Sequence, residues 1–472
     1  MTSLRLFGSA PKARHLARVS LINTRPSHHH HQLRMSSSTQ TMHLLPDNTG
    51  LWGITQTPSA AAKTSELLQQ DMENHHVFFN QSGFHNHIPH HLLALYGTGA
   101  GPSHLQSAYD TNASYQRPVL PVHKSVTLTP ETLTEYYGKE EYYPDFLTFF
   151  QSEIDRLGWK ETVTRYLFEE GEGKEDLIIR LFGGFLHPLI QLMYGLEWGL
   201  TGVVAEGLAQ AAVHRDDLRE FLLTAEEKGR GREEGETVLG LLREAEGLKG
   251  AARSEDGNKI RDGVLVRAKG EMVDLAGRVK VGEGEVEGRT REMFNGAVYV
   301  AAGAAVSMTD RKKVPKFDFF LMHHVNAAPF FVTMNKMDWV PEKTKRRLLE
   351  WKIRMDLLQY VARGCPELRV ERLEGYEPKQ PGKAKMVEEI VSRLHGFGDD
   401  GHAIKLGRAT VVCRNICREY EEKEGFMIKG GLWEKICHLI VDSVEAPGEH
   451  WVRSAGFEEA WKDIPNVDDS KL

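Results

Sequence analysis

The chain has 472 residues, 40% of them hydrophobic and 26% charged, which is the composition of a soluble globular protein of one large or two to three average domains. Its net charge of -7 excludes the basic field that nucleic-acid binding needs. Its four cysteines (Cys365, Cys413, Cys417 and Cys437) form no CxxC pair, which fits neither a zinc ribbon nor a secreted disulfide framework and points to a reducing compartment.

Taken in chain order, residues 1–74 read as a leader and linker. The first 46 residues carry six Lys or Arg and no acidic residue. Either this is a mitochondrial transit peptide, or the protein is cytoplasmic and these residues are a disordered leader or precede a true start at Met35 or Met42. The ordered part is expected from about residue 75. GFHNHIPHHLLALY (83–96) follows, four histidines running into an apolar helix whose first turn suits Pro89. In YYPDFLTFFQSEIDRLGW, Phe146, Phe149, Phe150, Ile154 and Leu157 repeat at helical spacing up to Gly158. The longest apolar run, Leu177–Tyr194, is broken by Arg180, His187 and Pro188 and reads as a buried helix, not a membrane span. Pro188 has no NH for the carbonyl of Gly184, so a kink is expected there.

Residues 225–291 are rich in Glu, Lys, Arg and Gly, and read as a solvated, partly helical insertion or loop. Regular pattern resumes at Met293, and 343–363 is a long amphipathic helix. A turn-rich stretch around 379–385 precedes two more helices. No alternating strand pattern or solenoid repeat stands out, so the fold is read as all-α: one large irregular helical domain over 75–472.

The candidate chemistry is histidine. An unpaired polar group in apolar surroundings costs about 1–3 kcal/mol, and scattered imidazoles can satisfy one another through a shared ion. The candidate metal ligands are His87, His90, His91, His187, His323, His402 and Lys405. His85 belongs to the first cluster. His187 shares a helix face with Gln191, and His214 shares one with Gln210 and Glu206. In FDFFLMHHV one of His323 and His324 is expected inside and the other at the surface. Asp318 is either an orienting carboxylate or a surface one. In DDGHAIKLGRA, Asp399 and Asp400 read as helix caps, with His402 and Lys405 on one face. A buried, neutral lysine can take up carbon dioxide as a metal-binding carbamate, while the plainer reading is an ion-paired or snorkelling side chain. Tyr194 and Glu197 are polar neighbours of the His187 helix. Phe79, Phe84, Tyr96 and Phe320 are candidates for a substrate wall. GTGAG (97–101) lacks a βαβ context and reads as a helix stop.

These segments together, with LLEWKIRMDLLQYVAR and WVRSAGFEEAW, resemble the questin oxidase-like family, in order from about residue 77 to 462. The resemblance implies an oxidoreductase that opens an aromatic polyketide such as an anthraquinone by Baeyer–Villiger-type oxygen insertion, with NADPH as reductant. The chain has no Rossmann glycine fingerprint for a flavin. The histidines favour non-heme iron, with dioxygen and a small aromatic substrate as partners. The chain departs from the family pattern at Gln191, where histidine is usual. Two further readings are a metal-dependent hydrolase, which needs no oxygen, and a non-catalytic helical binding protein, which needs no metal.

Overall fold

The computed structural model describes residues 38–169, 171, 174–382 and 386–467. Helices carry the whole described chain; four isolated β-bridges, such as Phe78 with His85, are the sole extended pairings among the described residues. No helix is long and apolar enough to cross a membrane. The basic leader expected over residues 1–37 lies outside the described residues.

The order begins earlier than the expected boundary at 74. Thr57 caps the Pro58–Asn74 helix, accepting from the Ala60 amide at 3.1 Å, and Leu67 and Leu68 are buried. The strand-like stretch before it is tied down by side chains of that helix: the amides of Met42 and Leu44 donate to Gln69 and Ser65.

The centre is a helix hairpin, Gly183–Trp198 and Thr201–Val213, turned by Gly199 in the left-handed region (φ 66°). A Cβ on Gly195 would stand 2.6 Å from the Val204 amide nitrogen, and one on Gly207 2.7 Å from that of Leu192. The two backbones therefore touch where side chains are missing. The Tyr143–Leu157 helix packs on this hairpin with Phe146, Phe150 and Ile154 buried, and stops at Gly158 (φ 83°), as the stripe predicts.

The charged segment 225–291 is not a solvated loop. Leu241, Met272, Val279 and Val281 are fully buried, and helices run over Val238–Ala245 and Lys269–Ala276. Its backbone satisfies charges of the Glu342–Ala362 helix: Arg354 donates to the carbonyls of Ala276 and Val279 (both 3.2 Å), and Glu350 accepts from the Val281 amide (3.0 Å). Its glycines and charges disguise a packed layer, because its apolar residues are few and most, though not Val266, are turned inward.

Candidate functional site

Four elements bring imidazoles to one place. The segment leading into the Ile88–Gly97 helix carries His85 and His87. The central hairpin carries His187, the Phe319–Asn326 helix His323, and the His402–Cys417 helix His402. All five rings are buried.

Each placement has a local cause. Gly184, Phe185 and Leu186 have φ of 52°, 55° and 68°, a left-handed turn just before His187. Two non-glycine residues in that region cost about 1–2 kcal/mol each. Pro188 leaves the Gly184 carbonyl without its helical partner, and the His187 Nδ1–H takes it at 2.5 Å. The expected kink thus also fixes the ring. Asp318 is fully buried and is no surface carboxylate. It caps the next helix, accepting from the Phe320, Leu321 and Ala455 amides at 2.8, 3.0 and 2.7 Å. One turn on, His323 Nδ1 donates to the Phe319 carbonyl at 2.6 Å.

Asp399 does cap its helix, accepting from the Gly401 and Ala403 amides. Asp400 does not. It bridges two rings: its Oδ1 meets His402 Nδ1, and its Oδ2 lies 2.8 Å from His87 Nδ1. Burial pushes the Asp400 carboxyl up, but His402 and His87 overcome this and hold it well below the usual range. Burial, with Asp400 next door, pushes Asp399 up instead.

The consequence concerns the other ring nitrogen. A ring nitrogen facing a carbonyl oxygen or an ionised carboxylate carries the proton. That puts the protons of His87, His187, His323 and His402 on Nδ1 and leaves a lone pair on each Nε2. Yet His87 Nε2 faces His187 Nε2 at 2.9 Å, and His402 Nε2 faces His323 Nε2 at 3.1 Å. Two lone pairs do not bond. Burial, reinforced by neighbouring imidazoles, holds His187 and His323 well below the ordinary histidine range, and burial takes His402 down to about 3 against the pull of Asp400. Protonation is therefore a poor remedy. A divalent cation is a good one. His87, His187 and His402 offer ligand atoms that all lie within 4.8 Å of one another, the spread an ion can hold.

The other candidates divide. His85 Nε2 meets His214 Nε2 at 2.7 Å, and its ring stacks on His187 at 3.9 Å. His214 Nδ1 donates to the Gln210 carbonyl, so His85 is the donor and that pair is complete. His90 Nδ1 instead meets Lys405 Nζ at 3.0 Å, which leaves its own Nε2 buried and unpartnered. His91 packs on Gly401, where a Cβ would come within 2.5 Å of the ring. Lys405 is buried, and burial lowers its amine against the pull of Asp400 and Asp399. His324, expected at the surface if His323 faced inward, is buried too: Asp356 of the long helix takes its Nδ1 at 2.5 Å and also holds Lys352. Gln191 donates to Glu206 at 2.9 Å. Glu197 pairs with Arg408. Tyr194 lies under the Arg408 guanidinium.

Of the proposed wall, Tyr96 is core, donating to the Leu45 carbonyl, while Phe79 and Phe84 pair at the surface. Phe320 lies next to Phe319, with ring centres 5.4 Å apart. It is half-buried, as are Phe319, Phe185 and Trp451, and it meets Phe185 in a tilted ring pair at 4.8 Å. Phe319 stands edge-on to His323 and His402, at 4.9 and 5.0 Å. Phe319 stands one turn before His323, so its spacing alone could have marked it, while Trp451 lies outside the histidine segments singled out in the sequence. Surface hollows of about 580 and 540 Å³ lie elsewhere, lined by ion-paired side chains such as Lys228 with Asp274 and Arg347 with Glu226.

Comparison with known proteins follows from the same residues. The description "Questin oxidase-like" matches residues 84–410, which include all five site histidines. Over 451 residues the chain is 36% identical to a Baeyer-Villiger oxidase, mdpL, of Emericella nidulans, covering 91% of this chain and 99% of the relative. It is 34% identical to a questin oxidase of Aspergillus fumigatus over 432 residues (88% and 96%). It is 35% identical to the oxidoreductase AflY of Aspergillus parasiticus over 456 residues (87% and 90%).

Proposed function

This chain belongs to the questin oxidase-like family, and we propose that it is an oxidoreductase that inserts oxygen into, or opens, an aromatic polyketide ring at a non-heme iron held by His87, His187, His323 and His402. The observation that carries the metal is the meeting of imidazole lone pairs at 2.9 and 3.1 Å in a buried site. Neutral imidazole with open positions suits ferrous iron, which when bound supplies the electrons that make dioxygen reactive toward a closed-shell aromatic ring.

The protein's own groups set the stage. Asp400 fixes two rings in one tautomer, as the Gly184 and Phe319 carbonyls do for the other two. Phe319, edge-on to His323 and His402, shields those two imidazoles from bulk water. Lys405, beside His90 and lowered by burial, would serve as a fifth ligand once carbon dioxide has converted its neutral amine to a carbamate. Insertion of one oxygen atom leaves the second to be reduced to water by two electrons. We assign that role to NADPH, which must deliver them without a Rossmann site in this chain. The relatives' names support the reaction class.

The test is turnover of a hydroxyanthraquinone with oxygen and NADPH uptake followed together. Stoichiometric uptake lost on iron removal and restored by ferrous iron supports the reading. Product formation without oxygen overturns it in favour of hydrolysis.

A further inference from the structure

Arg453 is exposed, and its guanidinium lies over the face of Phe319, 4.4 Å from the ring centre. Among the described residues it meets no carboxylate and makes no hydrogen bond, so its five donors are free. Its place is unusual for a surface arginine. Phe319 is the ring that stands edge-on to both His323 and His402, so one aromatic ring separates this charge from two site imidazoles. Trp451, two residues earlier, lies 6.1 Å from His402. The Val452 carbonyl holds the Phe319 amide at 2.8 Å, which ties the arginine's segment to the histidine helix. A cation fixed by a ring at the edge of an aromatic-walled site is a receptor for an anion on an aromatic ligand.

We propose that Arg453 and Phe319 form a subsite for an anionic oxygen of the substrate, a phenolate or carboxylate borne on its aromatic frame. This rests on the aromatic-polyketide reading of the same site. The flat rings of the substrate lie along Phe319, Phe320 and Trp451, and the guanidinium takes the charged oxygen. Arg453 is thereby a specificity residue. It selects ionised over neutral aromatics and sets which end of the molecule faces the histidines.

The test uses the purified full-length protein and two probes of one shape, anthraquinone-2-carboxylate and the neutral anthraquinone-2-carboxamide. Their dissociation constants are measured by equilibrium dialysis for the wild type, Arg453→Ala and Arg453→Lys. The side chain is exposed and holds no hydrogen bond, so its truncation leaves the fold standing, and the carboxamide serves as the control. The expected result is a loss of roughly tenfold or more in carboxylate affinity for Arg453→Ala. Carboxamide affinity stays unchanged, and Arg453→Lys recovers part of the loss. Equal weakening of both probes, or of neither, overturns the subsite alone. Failure of both probes to bind the wild type overturns the aromatic-substrate reading beneath it.

Discussion

His87 and His187 face each other through their ε nitrogens at 2.9 Å, and the contacts of their δ nitrogens put both ring protons on the far side. The His187 δ nitrogen is bonded to the Gly184 carbonyl, and that of His87 lies 2.8 Å from the Asp400 carboxylate. Apolar side chains in place of these rings would cost less to bury. A cation between them removes the conflict, so metal loading and folding should be coupled. His187→Ala and His402→Ala should each lose bound metal and oxidase activity together. The chelated wild type should melt at a lower temperature than the loaded protein, by calorimetry. His214→Ala, outside the four, should keep its metal. Equal metal content in all three variants would show that the rings are not ligands.

Asp399 and Asp400 are neighbours with different work. Asp400→Asn removes the charge that orients two imidazoles, and metal affinity should fall by about 10–100-fold, read by competition with a chromophoric chelator. Asp399→Ala removes a helix cap and should lower stability by about 1 kcal/mol in urea, with metal affinity nearly kept. A reversed pattern would reassign the two carboxylates.

Gly184→Ala tests the left-handed turn. A Cβ there would stand 2.5 Å from His214 Nε2, at a φ of 52°. The variant should lose about 1–3 kcal/mol of stability and part of its metal, because the His214 and His187 rings must move. Wild-type metal content with wild-type unfolding would mean that the turn is not needed.

Acidification should destabilise the metal-free protein. Burial lowers His91 to about 3, and His214 and His395 to about 4. Once unfolded, these rings return to about 6.5 and bind protons there first. Their contribution is therefore complete above about pH 6.5 and is lost as pH falls toward 4, at up to about 1.4 kcal/mol per pH unit for each ring. Glu206 works the other way, since burial and then Asp71 raise it to about 8, so its folded form binds the proton first. The histidines outnumber it. Urea midpoints of the metal-free protein should fall between pH 6.5 and 4.5, and flat midpoints would contradict the neutral buried rings.

Much of this was legible in the sequence, and the remainder was not local. The stripe of Phe146, Phe150 and Ile154 predicts its helix because period and burial are properties of neighbours on one chain. Pro188 predicts the break before His187 by the same logic. The meeting of His87 with His187 and of His402 with His323 spans 100 and 79 residues, and spacing alone sets no such distance. Asp400 looked like a cap because Asp before a helix usually is one, and of the two rings it bridges, His402 is only two residues on while His87 lies on a distant segment. His324 looked exposed because its carboxylate, Asp356, is 32 residues away. The packed layer at 225–291 was hidden by its charges, several of which pair with each other, as Arg267 does with Asp256.

The most direct measurement is anomalous diffraction at the iron absorption edge from crystals of the protein as purified. The account predicts one peak, about 2.1 Å from the Nε2 atoms of His87, His187, His323 and His402. A fully active preparation with no peak among those four nitrogens would contradict it.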